Sequence, residues 1–530
     1  MVLLSRRRLI QGAAALGIGA ALRPVLAGTR FDLEVSEIPF RGATATAING
    51  SVPGPTLRWR EGDVVTIAVT NRLSVPTSIH WHGIRVPSPM DGIPGLSFGG
   101  IRPGETFTYR FPVRQSGTYW YHAHSAYQEQ TGLYGALVIE PAGESAPEAD
   151  RDHVVLLSDW TAEDPAEILS NLKFQSDYYN YGRRTLGTFL ADIRRDGLGA
   201  AVADRLQWGR MRMAPTDILD VSGAAYRYLI NGQTADDNWT GLFAAGETMR
   251  LRLVNAASMT VFDLRIPGLA LSVVQADGNE VEPVMVDQIR IAPAETYDVI
   301  VEPRENRPYT LFAQAEDRSG FARATLSPRP GLSAPIPPMD PRPLRGMADM
   351  GMMDMPGMEP MPRQDSPATG VEVDNVAMMP MPRLDEGDHT AGGRRVLTYA
   401  DLRAIRRGSD PRPPSREITL HLTGNMERFI WGFDGRKYTE AEPIDLALGE
   451  RVRFTLINDT MMEHPLHLHG LWSELDNGQE EFRPYKHTVN VKPGETLSFL
   501  VTADEPGRWA FHCHMLYHMA AGMFREVRVS

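Results

Sequence analysis

One cysteine in 530 residues excludes any disulfide within the chain, so nothing covalent staples the fold. That thiol, Cys513, is left for a metal, for catalysis or for neither, and its scarcity does not fix a compartment. Positive charge is also short. The formal balance is -12, which removes the global attraction that nucleic acid requires, and no nucleic-acid partner is expected. Long apolar runs are missing as well. The run at 12–22 is too short to span a bilayer, so no stable membrane anchor is expected. It follows SRRRLI at 5–10 and leads into PVLAG, with a cleavage position after Ala27. Residues 1–28 therefore read as a twin-arginine-type signal peptide, which exports folded proteins to the periplasm.

What the chain does hold is turns: 48 glycines and 40 prolines point to an all-β protein. The length is too great for one core and suggests three or four domains. Three segments share one grammar, GDVVTIAVTN at 62–71, GETMRLRLVN at 246–255 and GERVRFTLIN at 449–458. Each is a turn followed by an alternating strand that ends in asparagine. A second element follows each in the same order: PGETFTYRF at 103–111, PAETYDVIV at 293–301 and PGETLSFLV at 493–501. Then come GTYWYHAH at 117–124, PYTLFAQA at 308–315 and GRWAFHCH at 507–514. A repeated order of this kind predicts three β-sandwich domains, at 29–141, 151–330 and 395–530. A helical or irregular insertion is expected near 165–210. The stretch 331–394, rich in proline and methionine and without periodicity, reads as a mobile linker or loop.

Ten of the 14 histidines fall in four short clusters: His80 and His82; His122 and His124; His464, His467 and His469; His512, His514 and His518. All lie in the first and third domains, and FAQA stands at the corresponding strand of the second. On a strand, residues i and i+2 share a face, so each HxH presents two imidazoles together. Four such pairs offer eight, enough for a cluster of three metals. Imidazole alone suits copper, zinc, iron and nickel about equally. Cys513 lies between His512 and His514 and so points to the opposite face. There it can meet His464 and His518, with Met523 as a weak axial ligand. Two His, one Cys and a distant Met form a blue-copper electron-transfer site. His153, His389, His421 and His487 lack such company and are read as non-ligands, His487 as a packed or turn residue.

HWHG at 80–83, HAH at 122–124, HPLHLHG at 464–470 and HCHMLYHMAAGM at 512–523 resemble the four signature elements of the multicopper oxidase family. Within it the chain is most similar to the bacterial copper-resistance protein A group, laccase-like enzymes. The resemblance implies three cupredoxin-like Greek-key domains and four coppers per chain. It implies His464, Cys513 and His518 as type 1 ligands with Met523 axial, and His80 and His467 at type 2. The type 3 pair would take His82, His122, His124, His469, His512 and His514. Asp91, in PMDGIPG just past the first pair, resembles the family's buried acid beside the type 2 copper; the other reading of an Asp-Gly pair is a turn. Some bacterial relatives carry an acid directly after the second type 1 histidine. Here Met519 stands there, and Glu474 is the substitute considered.

The implied activity couples four one-electron oxidations to reduction of O2 to water, with Cys513 carrying electrons between centres. The segment 346–362 holds Met347, Met350, Met352, Met353, Met355, Met358 and Met361, with Met378, Met379 and Met381 beyond it. Thioethers favour Cu(I), so Cu(I) is the expected substrate, in copper tolerance; Asp349 and Asp354 could add hard ligands for Cu(II). A laccase oxidising phenols or aromatic amines is the alternative. A non-catalytic periplasmic copper-sequestering protein fits less well, since storage needs no thiolate between two centres. A nitrite reductase lacks the third domain and the full histidine set. With all three domains in one chain, a monomer is expected.

Overall fold

The computed structural model describes residues 25–143, 148–180, 182–351 and 366–530. The described strands build six sheets, two to each of three sandwiches. In the first, Ala43–Ile48, Arg30–Phe40, Val64–Asn71 and Thr106–Pro112 lie side by side, in that order. The facing sheet runs Val25–Ala27, Thr56–Arg60, Tyr134–Glu140, Gly117–His122, His80–His82. Trp59, Trp81, Tyr109 and Phe111 fill the space between them. Alternation explains the pairing: in Val64–Asn71 every second residue is buried, so one face packs and the other meets solvent.

The second and third sandwiches repeat this plan with six and five strands per sheet and share one continuous apolar core. The repeated segments are the strands Val64–Asn71, Met249–Asn255 and Arg451–Asn458, each paired antiparallel with the strand grown from its PGET or PAET partner. The terminal asparagines have a common task. Asn71, Asn255 and Asn458 each donate from Nδ2 to two main-chain carbonyls, and each accepts at Oδ1 from an N–H two residues on. One side chain thereby fixes the corner that aims the chain at the next strand, which is His80–His82, Phe262–Arg265 or His464–Leu468.

The insertion in the second domain is helical, at Pro165–Phe174, Leu186–Asp196 and Leu198–Met211. The first starts on an Asp164 cap with proline at its first turn, and the second on a Thr185–Thr188 capping box. The stretch 331–394 differs from expectation. Its described residues are not a free tether. Asp340 pairs with Arg265 and Asp388 with Arg318, which fastens it to domain two through buried ion pairs, and Arg383 donates to the carbonyl of Pro493 in domain three. Val25–Ala27 pairs in parallel with Thr56–Arg58, and the rest of the expected signal, 1–24, lies outside the described residues. Among the described residues no helix is long and apolar enough to cross a membrane.

Candidate metal centre

His80–His82 pairs with Gly117–His122 so that His80 stands opposite His122. His464–Leu468 pairs with Gly507–Cys513 so that His467 stands opposite His512. The first strand pair therefore lines up His80, His82 and His122 on one face, the second His467 and His512, with His124, His469 and His514 just past the strand ends, and the faces of domains one and three meet. His82 stacks on His467 with ring centres 3.8 Å apart, and the His80 and His469 rings are 4.0 Å apart. Nitrogens that one ion could share group as His80, His82, His467; as His82, His122, His514; and as His124, His469, His512. Leu466 stands opposite Cys513, which points the other way into the apolar core. There Cys513 Sγ is 3.6 Å from His464 Nδ1 and 3.7 Å from His518 Nδ1. Met523 is fully buried nearby: Cys513 N–H donates to its carbonyl, and its own N–H donates to the carbonyl of His518.

The tautomers follow from the partners. A carbonyl can only accept, so a ring nitrogen bonded to one carries the proton. Nδ1 of His80 donates to Asp91 O, of His122 to Ala123 O, of His467 to His487 O and of His512 to Cys513 O, at 2.5–2.9 Å. His469 Nδ1 donates to Asp91 Oδ2 at 3.0 Å. In all five rings Nε2 is left with a bare lone pair. His469 Nε2 and His512 Nε2 are only 3.0 Å apart with no proton to place between them. His80 Nε2, His82 Nδ1 and His467 Nε2 are buried without any partner. Burial, then the neighbouring imidazoles, hold His82, His467 and His469 well below the usual histidine range. His512 is held at about 3, chiefly by burial. Neutral imidazoles converging lone pairs in a buried space repel one another unless a cation lies between them, so the donor set fits bound metal.

The thiol site obeys the same logic. His518 Nε2 donates to Asp220 Oδ2 at 2.7 Å, which turns the Nδ1 lone pair toward sulfur. Asn458 Oδ1 accepts from the Thr460 hydroxyl, and that oxygen in turn meets His464 Nε2 at 2.7 Å. Trp431 lies over His518 at 4.1 Å and excludes water. Burial pushes the Cys513 thiol up, so a cation is needed to hold it as thiolate.

Asp91 is fully buried between the two halves. Its Oδ1 is 3.4 Å from His80 Nδ1 and has no hydrogen-bond partner, while Oδ2 serves His469. The glycine after it is obligatory: a Cβ on Gly92, whose φ is 86°, would lie 1.9 Å from the carbonyl oxygen of Ile79. Glu474 does not serve this cavity. It forms a two-pronged pair with Arg451 at 2.8 and 2.9 Å in the other sheet of domain three, which corrects the reading of it as an acid for the cluster. The carboxyl that does reach the cavity is Glu129, missed in the sequence, with Oε2 2.7 Å from His122 Nδ1 and Oε1 3.8 Å from His514 Nδ1. Burial raises it well above the usual carboxyl range. Its nearness in sequence to HAH was the one available signal; Asp220, 298 residues from His518, offered none.

His421 pairs with Asp459, His153 meets the carbonyl of Leu242, and His389 is largely exposed. None of the three joins a cluster. Met350 is buried in the apolar core at the end of a single turn, Ala348–Met350, and Met347 packs partly against the same core. Those two thioethers are packed, which departs from the open loop expected. Met352, Met353, Met355, Met358, Met361 and Asp354 lie outside the described residues.

Three sequence models described as multicopper oxidase match the chain, at residues 34–144, 204–329 and 411–530. A copper resistance protein A homolog of Pseudomonas syringae pv. tomato (strain ATCC BAA-871 / DC3000) is 50% identical, with 99% of each chain covered. Copper resistance protein A of Escherichia coli is 49% identical, again over 99% of each. Among solved structures, Fet3p, described as a multicopper oxidase that functions in iron import, superposes with a TM-score of 0.69 at 19% identity, over 95% of this chain and 90% of that one. The laccase of Botrytis aclada gives 0.65 at 22% identity, over 96% and 88%. At such identities these two speak for the fold alone.

Proposed function

The chain belongs to the multicopper oxidase family and is a copper-dependent oxidase using O2, and on that premise we propose that it couples four one-electron oxidations, first of Cu(I), to formation of water. The observation that carries the reading is the strand Gly507–Cys513, continued to His514, which presents a thiol to one buried histidine pair and imidazoles to another cavity on its opposite face. His464, Cys513 and His518, with Met523 as a weaker donor nearby, would hold the type 1 copper. His80 and His467 would hold type 2. His82, His122 and His514 would hold one type 3 ion, and His124, His469 and His512 the other. Bound copper supplies the one-electron steps and the reduction of O2.

The chain's own residues supply orientation, dryness and a proton-accepting atom. Asp220 and Thr460 aim two imidazoles at the thiol, and Trp431 covers them. Asp91 orients His80 and His469, and its unpartnered Oδ1 offers a proton-accepting atom inside the cavity. Glu129 braces His122. Cu(I) as substrate is supported by the methionine-rich stretch 346–362. Met379 and Met381, 47% and 53% exposed, add two accessible thioethers beside Glu417. Export to the periplasm by the twin-arginine route rests on SRRRLI at 5–10, and a monomer on the completeness of the three domains.

Metal analysis, visible and spin-resonance spectra, and oxygen uptake test the reading together. Four coppers, an intense blue band, a separate type 2 signal and faster uptake with Cu(I) than with a phenol are expected. Fully metallated protein that is colourless and consumes no O2 with any reductant would refute the oxidase. A phenol preference would leave the laccase.

A further inference from the structure

His487 stands outside the ten clustered histidines, yet it touches two of them from different sides. Its ring Nδ1 is 3.2 Å from Nε2 of His82, a domain-one residue. Its main-chain carbonyl accepts from Nδ1 of His467, a domain-three residue, at 2.5 Å. The hydroxyl of Thr488 completes a triangle, 3.1 Å from both His82 Nε2 and His487 Nδ1. His82 Nδ1 is buried with no partner, so a proton kept on Nε2 leaves Nδ1 as the lone pair for an ion. The ring lies close because residue 83 is glycine: a Cβ there would stand 2.4 Å from His487 Cδ2, and its φ is 79°.

The peptide 486–488 is clamped in turn from domain two, which contributes none of the clustered histidines. Asp277 Oδ2 accepts from the N–H groups of His487 and Thr488, each at 3.1 Å, while its Oδ1 accepts from Thr296 N–H. Lys486 Nζ, with no exposure, lies 3.1 Å from Asp277 and 2.9 Å from Glu295. A main-chain carbonyl held this way cannot drift from His467 without breaking a buried ionic cluster.

We propose that His487 is a positioning residue that orients one histidine from each half of the cavity, and that Asp277 makes domain two its anchor. This rests on the copper reading above. Partners of this kind typically govern metal affinity by 10–100-fold when removed.

The test uses the whole copper-loaded protein and three variants. His487→Leu removes the ring acceptor, His487→Asn keeps an acceptor oxygen near the same place, and Asp277→Asn loosens the clamp. Copper per chain, the rate of copper release to a chelator, the type 2 spin-resonance signal and the blue band are read for each. His487→Leu is expected to release cavity copper at least about tenfold faster, with an altered type 2 signal and an unchanged blue band. His487→Asn should restore most of the loss, and Asp277→Asn should shift the same readouts in the same direction. Wild-type kinetics and signal in His487→Leu, with copper bound, would overturn the proposal alone. So would a His487→Asn variant as defective as His487→Leu, since packing would then be the cause. A wild-type protein that takes up no copper would overturn the copper reading and this inference with it.

Discussion

Residue 513 sits on a strand where neighbours face opposite ways, so its sulfur and the two flanking imidazoles cannot share a cavity. Replacing that sulfur tests the division directly. Cys513→Ser is expected to abolish the blue band and oxygen uptake and to lower copper by about one per chain, because a serine hydroxyl is a poor partner for a soft site. Retention of the type 2 signal in the same sample shows that the opposite face survives. Asp220→Ala strands the buried Nε2 proton of His518, at a cost of about 1–3 kcal/mol, and should shift the blue band. An unchanged spectrum would remove Asp220 from the site. At this scale the histidines and Cys513 were legible because spacing tells which side chains share a face, and Asp91 only through its resemblance to a family acid. Asp220 was not, since its contact with His518 depends on how domains two and three pack, and Glu129 reaches His122 only through the fold of the loop after HAH. Glu474 misled because it follows HLHG closely, although its strand belongs to the other sheet.

The corners and turns that recur three times act on whole elements. Asn458 holds two carbonyls and an N–H and passes order through Thr460 to His464. Asn458→Ala leaves buried acceptors unpaired and should destabilise by about 2–3 kcal/mol in denaturant melts, with copper lost first from the thiol site. The PGET turns carry a second recurrent group: Glu105, Glu295 and Glu495 each accept an N–H three residues back. Glu495 is buried, with Oε1 unpartnered, and burial raises its carboxyl to about 7. A folded value above the unfolded 4.5 means the folded state prefers the protonated form. Stability therefore falls as pH rises from about 4.5 to 7, by up to about 3 kcal/mol. Glu495→Gln should flatten that slope and stabilise at pH 8 but not at pH 4.5. A slope identical to wild type in melts across that range would contradict it. These elements were readable from alternation and turn residues. The fastening of the described residues of 331–394 was not, because it comes from ion pairs with residues far along the chain, such as Arg318 with Asp388.

For the molecule as a whole, the cavity exists only where domains one and three meet, so an ion bound there ties them together. A ligand at 1,000 times its dissociation constant adds about 4 kcal/mol to the folded state. Copper removal by a chelator is expected to lower the calorimetric midpoint and to separate a domain-one transition from the rest. Equal midpoints with and without copper would mean that the interface holds without it. The sequence disclosed that two domains carry the ligands, but not that domain two reaches them through Asp277 and Asp220.

Beside His80, His467 and His487, at the foot of Arg85 and Trp472, the free space is about 10 Å³. That is close to the least volume one water can occupy. At that size the pocket has room for a single water-sized group and none for an aromatic ring.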